Sequence, residues 1–107
     1  MKSNVQGVMV GRFCPMHLGH EALFRAMFAN CGEENSLIVI GSSNTPLSLR
    51  HFFSYRERRK FVREVFPQAR IVGLPDYQSD KDWLLALDDL LLATGVKPRA
   101  ALYFGGC

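Results

Sequence analysis

Apolar runs of strand length alternate along this chain with segments whose apolar positions recur every three or four residues. Val5 to Val10 is the first run and is closed by Gly11. Ser36 to Ile40 is apolar after its first residue, the pattern of a strand covered on both faces. Arg70 to Leu74 and Ala100 to Phe104 complete four predicted strands. Between the first two, Leu18 to Asn30 pairs Leu23 with Met27 and Phe24 with Phe28 at i,i+4, which predicts a helix terminated at Gly32. A second helix begins at Ser54, where Glu57 three residues on makes a capping box. Phe61, Val62, Val65 and Phe66 supply its expected buried face, and Pro67 stops it. A third, from Asp80 to Thr94, carries Trp83, Leu84, Leu87, Leu90 and Leu91 and ends at Gly95. Strands alternating with helices predict an α/β domain built on a parallel sheet with crossover helices.

Composition sharpens this only slightly. A chain of 107 residues, 48% hydrophobic and 21% charged, has room for one modest core and one domain, spanning 1–107. Apolar runs such as Leu37 to Ile40 and Leu90 to Ala93 fall far short of the roughly 20 residues that cross a bilayer, so no membrane partner is expected. The start of the chain carries no cleavable-signal pattern, and three irregularly spaced cysteines make no disulfide framework; a cytoplasmic location is expected. A net charge of +3 does not by itself imply nucleic-acid binding, and none is expected. Seven of the thirteen basic residues fall between Arg50 and Arg70. Arg56, Arg58, Arg59, Lys60 and Arg63 encircle one helix, so most of them are expected to be solvated rather than turned to one ligand.

The chemistry concentrates in Gly11-Arg12-Phe13-Cys14-Pro15-Met16-His17-Leu18-Gly19-His20, between the first strand and the first helix. In an open α/β sheet this junction is where ligands sit, because the carboxyl ends of the strands open onto a crevice and a helix N-terminus offers unpaired N–H groups to an anion. Histidines at i and i+3 on a first helical turn point the same way, so His17 and His20 can converge on one phosphate. Gly19 between them allows close backbone approach. Equal three-residue spacing of Cys14, His17 and His20 also permits a metal reading, but Pro15 opposes a continuous helix through Cys14 and a zinc site needs three or four converging ligands.

G-R-F-x-P-x-H-x-G-H resembles the signature of archaeal-type nicotinamide mononucleotide (NMN) adenylyltransferases, within the HxGH nucleotidyltransferases that also include pantetheine-phosphate adenylyltransferases and cytidylyltransferases. Three downstream segments are similar to that family at consistent spacing: Gly41-Ser42-Ser43-Asn44, Leu49 to Arg58 with its Ser54-Tyr55-Arg56-Glu57-Arg58, and Asp80-Lys81-Asp82-Trp83. His51-Phe52 departs from the family's usual Asn-Pro. The resemblance implies a Rossmann-like (HUP-type) three-layer domain with strand order 3-2-1-4, acting by AMP transfer from ATP to a phosphorylated acceptor, NMN above others. It further implies that His17, His20 and Arg12 act on the phosphates, that Gly11, Phe13, Gly19, Gly41, Ser42 and Arg50 bind the nucleotide, and that Asp76, Asp80 and Trp83 meet the acceptor. Mg²⁺ would be held by the phosphates and water rather than by the chain. For Trp83 a core role stands level with ligand stacking, and Asp76 and Asp80 also fit as helix-start residues.

The family carries a second phosphate-binding turn of the S-x-T-x-[IV]-R type beyond the fourth strand, which nothing after Phe104 matches. The chain is therefore expected to be the N-terminal part of the domain, C-terminally incomplete, slow in turnover and self-associating into a homo-oligomer that covers its open sheet edge. The competing class is a nucleotide-binding module without turnover.

Overall fold

The structure, a computed structural model, describes residues 5–13, 18–41, 43 and 53–104. Four strands, β1 (Gly7–Gly11), β2 (Ser36–Gly41), β3 (Arg70–Leu74) and β4 (Leu102–Phe104), form one sheet in the order β3-β2-β1-β4. Every pairing is parallel, with Val8 opposite Leu37 and Tyr103, and Val39 opposite Val72. Three helices make the crossovers, α1 (Leu18–Cys31), α2 (Tyr55–Val65) and α3 (Asp80–Ala93). The α/β class is that read from the sequence, and the strand order is that implied by the resemblance.

All six residues of β2 are buried, because alternate side chains enter separate cores. Ile38 and Ile40 join Met9, Phe24, Met27, Val62, Phe66 and Ile71 on the face that also receives Phe13. Leu37 and Val39 join Val8, Leu74, Leu87, Leu91 and Val96 on the other. The first core rests on aromatic pairs: Phe24 lies 5.2 Å from Phe13 and 5.4 Å from Phe66 between ring centroids, the latter edge to face. Cys31 closes the end of α1, fully buried, and that burial raises its thiol pKa.

Helix ends follow their local chemistry. At the start of α2 the Ser54 hydroxyl accepts from the Glu57 amide and the Glu57 carboxylate accepts from the Ser54 amide, both at 3.1 Å. Gly95, at φ +85, ends α3: its amide donates to Leu92 and that of Val96 to Leu91, while Val96 and Leu91 are both buried. That is a Schellman closure with its hydrophobic contact.

Differences from expectation have local causes. A short 3₁₀ turn over Glu33–Asn35 leads into β2. The fourth strand starts at Leu102 rather than Ala100 because the amides of Ala100 and Ala101 both donate to the Lys97 carbonyl in a turn. Val65 is 39% exposed rather than buried, since α2 meets the sheet along Arg58, Val62 and Phe66, at four-residue spacing. Leu84 is likewise exposed. Among the described residues no helix is long and apolar enough to cross a membrane.

Phe24→Ala is expected to remove about 3–5 kcal/mol of stability in urea denaturation, because the ring is wholly buried between two other rings. A loss below about 1 kcal/mol would mean that the aromatic core is not packed this way.

Candidate nucleotide site

Strands β1, β2 and β3 end at Gly11, Gly41 and Leu74, and register puts Gly11 beside Ile40 and Gly41 beside Leu74. Each strand is followed in the chain by a helix, so the amino ends of α1, α2 and α3 gather at one rim of the sheet. Ser43 stitches that rim together, its amide donating to the Leu74 carbonyl at 3.1 Å.

The turn after β1 is shaped by Phe13. Its φ of 50° lies in the left-handed region, which a bulky residue enters at a cost, and its ring is 1% exposed. Burial of that ring beneath the turn opposes the backbone cost. The same ring meets His20 edge to face, 4.9 Å between centroids. Gly11 makes the fold-back possible: a Cβ there would lie 2.7 Å from the Phe13 ring. Phe13 thus supports the turn from the core side, and its ring is not open to a nucleotide.

Arg12 and Gly19 are exposed, and His20 is half-buried on the first turn of α1. His17, Ser42 and Arg50, together with Cys14 and His51, lie outside the described residues. The pairing of His17 with His20 is therefore carried by their spacing. Gly41 is buried at the end of β2. On the acceptor side, Asp76 is exposed in the loop after β3, and Asp80 is exposed at the start of α3. The cap of α3 is Ser79, whose hydroxyl accepts from the Asp82 amide, so Asp80 is not the capping residue. Trp83 is half-buried and packs beside the second core.

Most of the basic residues on α2 are solvated, as expected, and Arg58 is an exception. Arg56, Arg59 and Lys60 are exposed, and Arg63 donates to the carbonyls of Pro67 and Ala69. Arg58 is 0% exposed, and one guanidinium nitrogen donates to Gly41 at 2.7 Å and Arg12 at 3.1 Å. Its Nε donates to Phe53 and Ser54. The available signal was its position four residues before Val62 and eight before Phe66, on the buried stripe.

Among the described residues no group of three or more His, Cys, Asp or Glu side chains converges as a metal site. The rim offers guanidinium, imidazole and backbone donors, a set suited to an anion. A surface cleft of about 350 Å³ lined by Asp88, Leu92, Lys97, Pro98 and Arg99 lies before β4, at the opposite end of the strands. Near it the Tyr103 hydroxyl donates to the Pro98 carbonyl, and burial together with the Asp88 charge raises its pKa.

The model of the cytidylyltransferase-like family matches residues 8–100, from inside β1 to the threshold of β4. The chain belongs to that family. Nicotinamide-nucleotide adenylyltransferase of Pyrococcus horikoshii is 26% identical over 108 residues, covering 95% of this chain and 54% of its own length. The chain spans about half the length of the curated relatives it matches. Among solved structures, a bifunctional NMN adenylyltransferase/ADP ribose pyrophosphatase from Francisella tularensis superposes with a TM-score of 0.74 at 24% identity, covering 87% of this chain and 28% of that one. The same bifunctional protein complexed with AMP and a manganese ion gives a TM-score of 0.68 at 21% identity, over 100% of this chain and 37% of that one. These likenesses fix the fold of this cytidylyltransferase-like domain.

Gly11→Ala is expected to displace the Phe13 ring and cost about 1–3 kcal/mol in denaturant unfolding, the usual range for an added methyl with no space to occupy. Unchanged stability would show that Phe13 does not pack on Gly11.

Proposed function

We propose that this domain takes part in adenylyl transfer from ATP to a phosphorylated acceptor, with NMN as the acceptor and NAD and pyrophosphate as products. The observation that carries the reading is the Gly11 to His20 motif in a cytidylyltransferase-like sheet, with Gly11 at the carboxyl end of β1 and His20 on the first turn of α1. Support for the acceptor comes from the curated relatives, both named nicotinamide-nucleotide adenylyltransferase, and from Asp80 and Trp83 at the spacing described above.

In this reaction an oxygen of the NMN 5′-phosphate attacks the α-phosphorus of ATP, the bond to the bridging oxygen breaks, and pyrophosphate leaves with the electron pair. A phosphate monoester has a second pKa of about 6, so the nucleophile is already ionised near neutral pH and needs no strong base. Positioning and charge neutralisation carry such a transfer. Arg12, His17 and His20 are assigned to the triphosphate, with Gly11, Gly19, Gly41, Ser42, Arg50 and the backbone of Phe13 around the nucleotide. Asp76, Asp80 and Trp83 are assigned to the acceptor. The divalent ion enters with the substrate as MgATP, held by phosphate oxygens and water. A second reading is nucleotide binding at the same segment without turnover.

A panel assay decides between these readings: pyrophosphate release from ATP or CTP with NMN, pantetheine phosphate and other phosphorylated acceptors, alongside thermal shifts with ATP. ATP is expected to raise the melting temperature of the wild-type chain and to leave the His17→Ala/His20→Ala double variant unmoved. Full protection of the double variant would displace the site. ATP protection without pyrophosphate release under any acceptor would establish the binding module.

Trp83 offers a separate check, since a flat indole stacks on a pyridine ring and has no such surface to offer pantetheine. Trp83→Ala is expected to weaken NMN about tenfold while altering ATP binding little in direct titration. Equal losses for both would make Trp83 a core residue.

A further inference from the structure

A fully buried arginine is expensive unless its donors are satisfied, since the cost of removing the ion from water is several kcal/mol before any compensation. Arg58 meets this condition with backbone oxygens from three separated parts of the chain: Arg12 at the exit of β1, Gly41 at the end of β2, and Phe53 and Ser54 before α2. Two of these oxygens sit where the strands end, on the rim to which an anion is assigned. Carbonyl oxygens at such a rim carry partial negative charge and, left bare, would oppose a polyphosphate. The guanidinium is hydrogen-bonded to both. Its charge lies in low dielectric, where its field reaches further than that of a solvated side chain.

The grip on Arg12 is also placed where it matters most for the turn. The next residue is Phe13, with its left-handed backbone and buried ring. Between them, the guanidinium on the Arg12 carbonyl and the core around the Phe13 ring fix the direction in which the chain leaves β1, and hence where the Arg12 side chain points. A lysine keeps the charge but offers donors from a single nitrogen, so it cannot hold the Arg12 and Gly41 oxygens and the Phe53 and Ser54 oxygens together, as Nη1 and Nε of the planar guanidinium do.

We propose that Arg58 is the positioning residue of the polyphosphate site, holding Arg12 in its binding orientation and making the floor of the rim electropositive. This inference rests on the reading of the Gly11 to His20 turn as that site. Arg58 touches no substrate. It acts through Arg12 and through the two strand ends.

The test uses the full chain and titrates ATP and inorganic tripolyphosphate calorimetrically into the wild type, Arg12→Gln, His20→Ala, Arg58→Lys and the Arg12→Gln/Arg58→Lys double variant. Circular dichroism at the titration temperature gives the folded fraction of each. Arg58→Lys is expected to lose about tenfold or more in tripolyphosphate affinity, the worth of one charge-assisted hydrogen bond. In the Arg12→Gln background the same change should cost less than about twofold, because the group being positioned is gone. Losses that multiply in the double variant overturn the inference. So does a lowered melting temperature with unchanged affinity of the folded fraction, which is the behaviour of a brace for the fold alone.

Should Arg58→Lys not fold, the wild type still answers. The Arg58 Nε–H resonance in a nitrogen-15 spectrum is expected to shift on saturation with tripolyphosphate, and an unmoved resonance overturns the proposal. Failure of the underlying site has a different signature: a wild type that binds no tripolyphosphate, or Arg12→Gln and His20→Ala both at full affinity, removes the site and the inference with it. Losses in those two variants with Arg58→Lys at wild-type affinity leave the site standing and remove only the role of Arg58.

Discussion

Complete burial of β2 is the constraint on which the rest of this fold depends. A strand whose six residues are all out of water has to be hydrogen-bonded on both edges and covered on both faces. β1 and β3 satisfy its edges, while α1 and α2 on one face and α3 on the other supply the cover. Parallel pairing then carries the chain back across the sheet after each strand, and all of the strand-to-helix turns fall at one rim. The candidate site follows from this geometry: it lies where the strands end and the amino ends of the helices gather.

That rim is held by two kinds of force acting from opposite sides of the same few residues. From the core side, dispersion and burial seat the Phe13 ring against His20 and Phe24. From the α2 side, a charged fork fastens the Arg12 and Gly41 carbonyls. Packing alone tolerates small rotations, and hydrogen bonds alone tolerate sliding; together they define an orientation for the exposed Arg12. The cost of a left-handed phenylalanine is thereby localised at the residue where direction matters.

Most of the architecture was legible because it is written in local periodicity. The bounds of α1, β2, α2 and β3 follow from apolar spacing, the Ser54–Glu57 box and Pro67, and Gly95 reads as the end of α3 because only a residue at ease with positive φ closes a helix in that way. The site was legible as a motif but not as a mechanism of support. Phe13 reads as a ligand contact when it stands in a signature, and its burial depends on Phe24 and His20, residues that only tertiary folding brings to it. Arg58 reads as one more surface cation on a basic helix. Its spacing to Val62 and Phe66 puts it on the buried stripe, but the two rim oxygens that satisfy it belong to residues 46 and 17 positions away, outside any local window.

The pairing of β1 with β4 bears on the order in which the chain acquires its shape. Gly7 lies beside Leu102, and the Gln6 side chain bridges to Gly95 and Lys97, across separations of 89 and 91 residues. Contacts of that range form late, since the entropy of closing a long loop has to be met before the contact returns anything. β1 and β2 are separated by a single helix, so their junction, the crest of the binding turn, can be assembled while α3 and β4 are still unformed. During synthesis β1 would therefore wait with one edge bare until β4 arrives. The candidate rim belongs to the part of the molecule that pairs early, and the strand that covers the second edge of β1 joins it later.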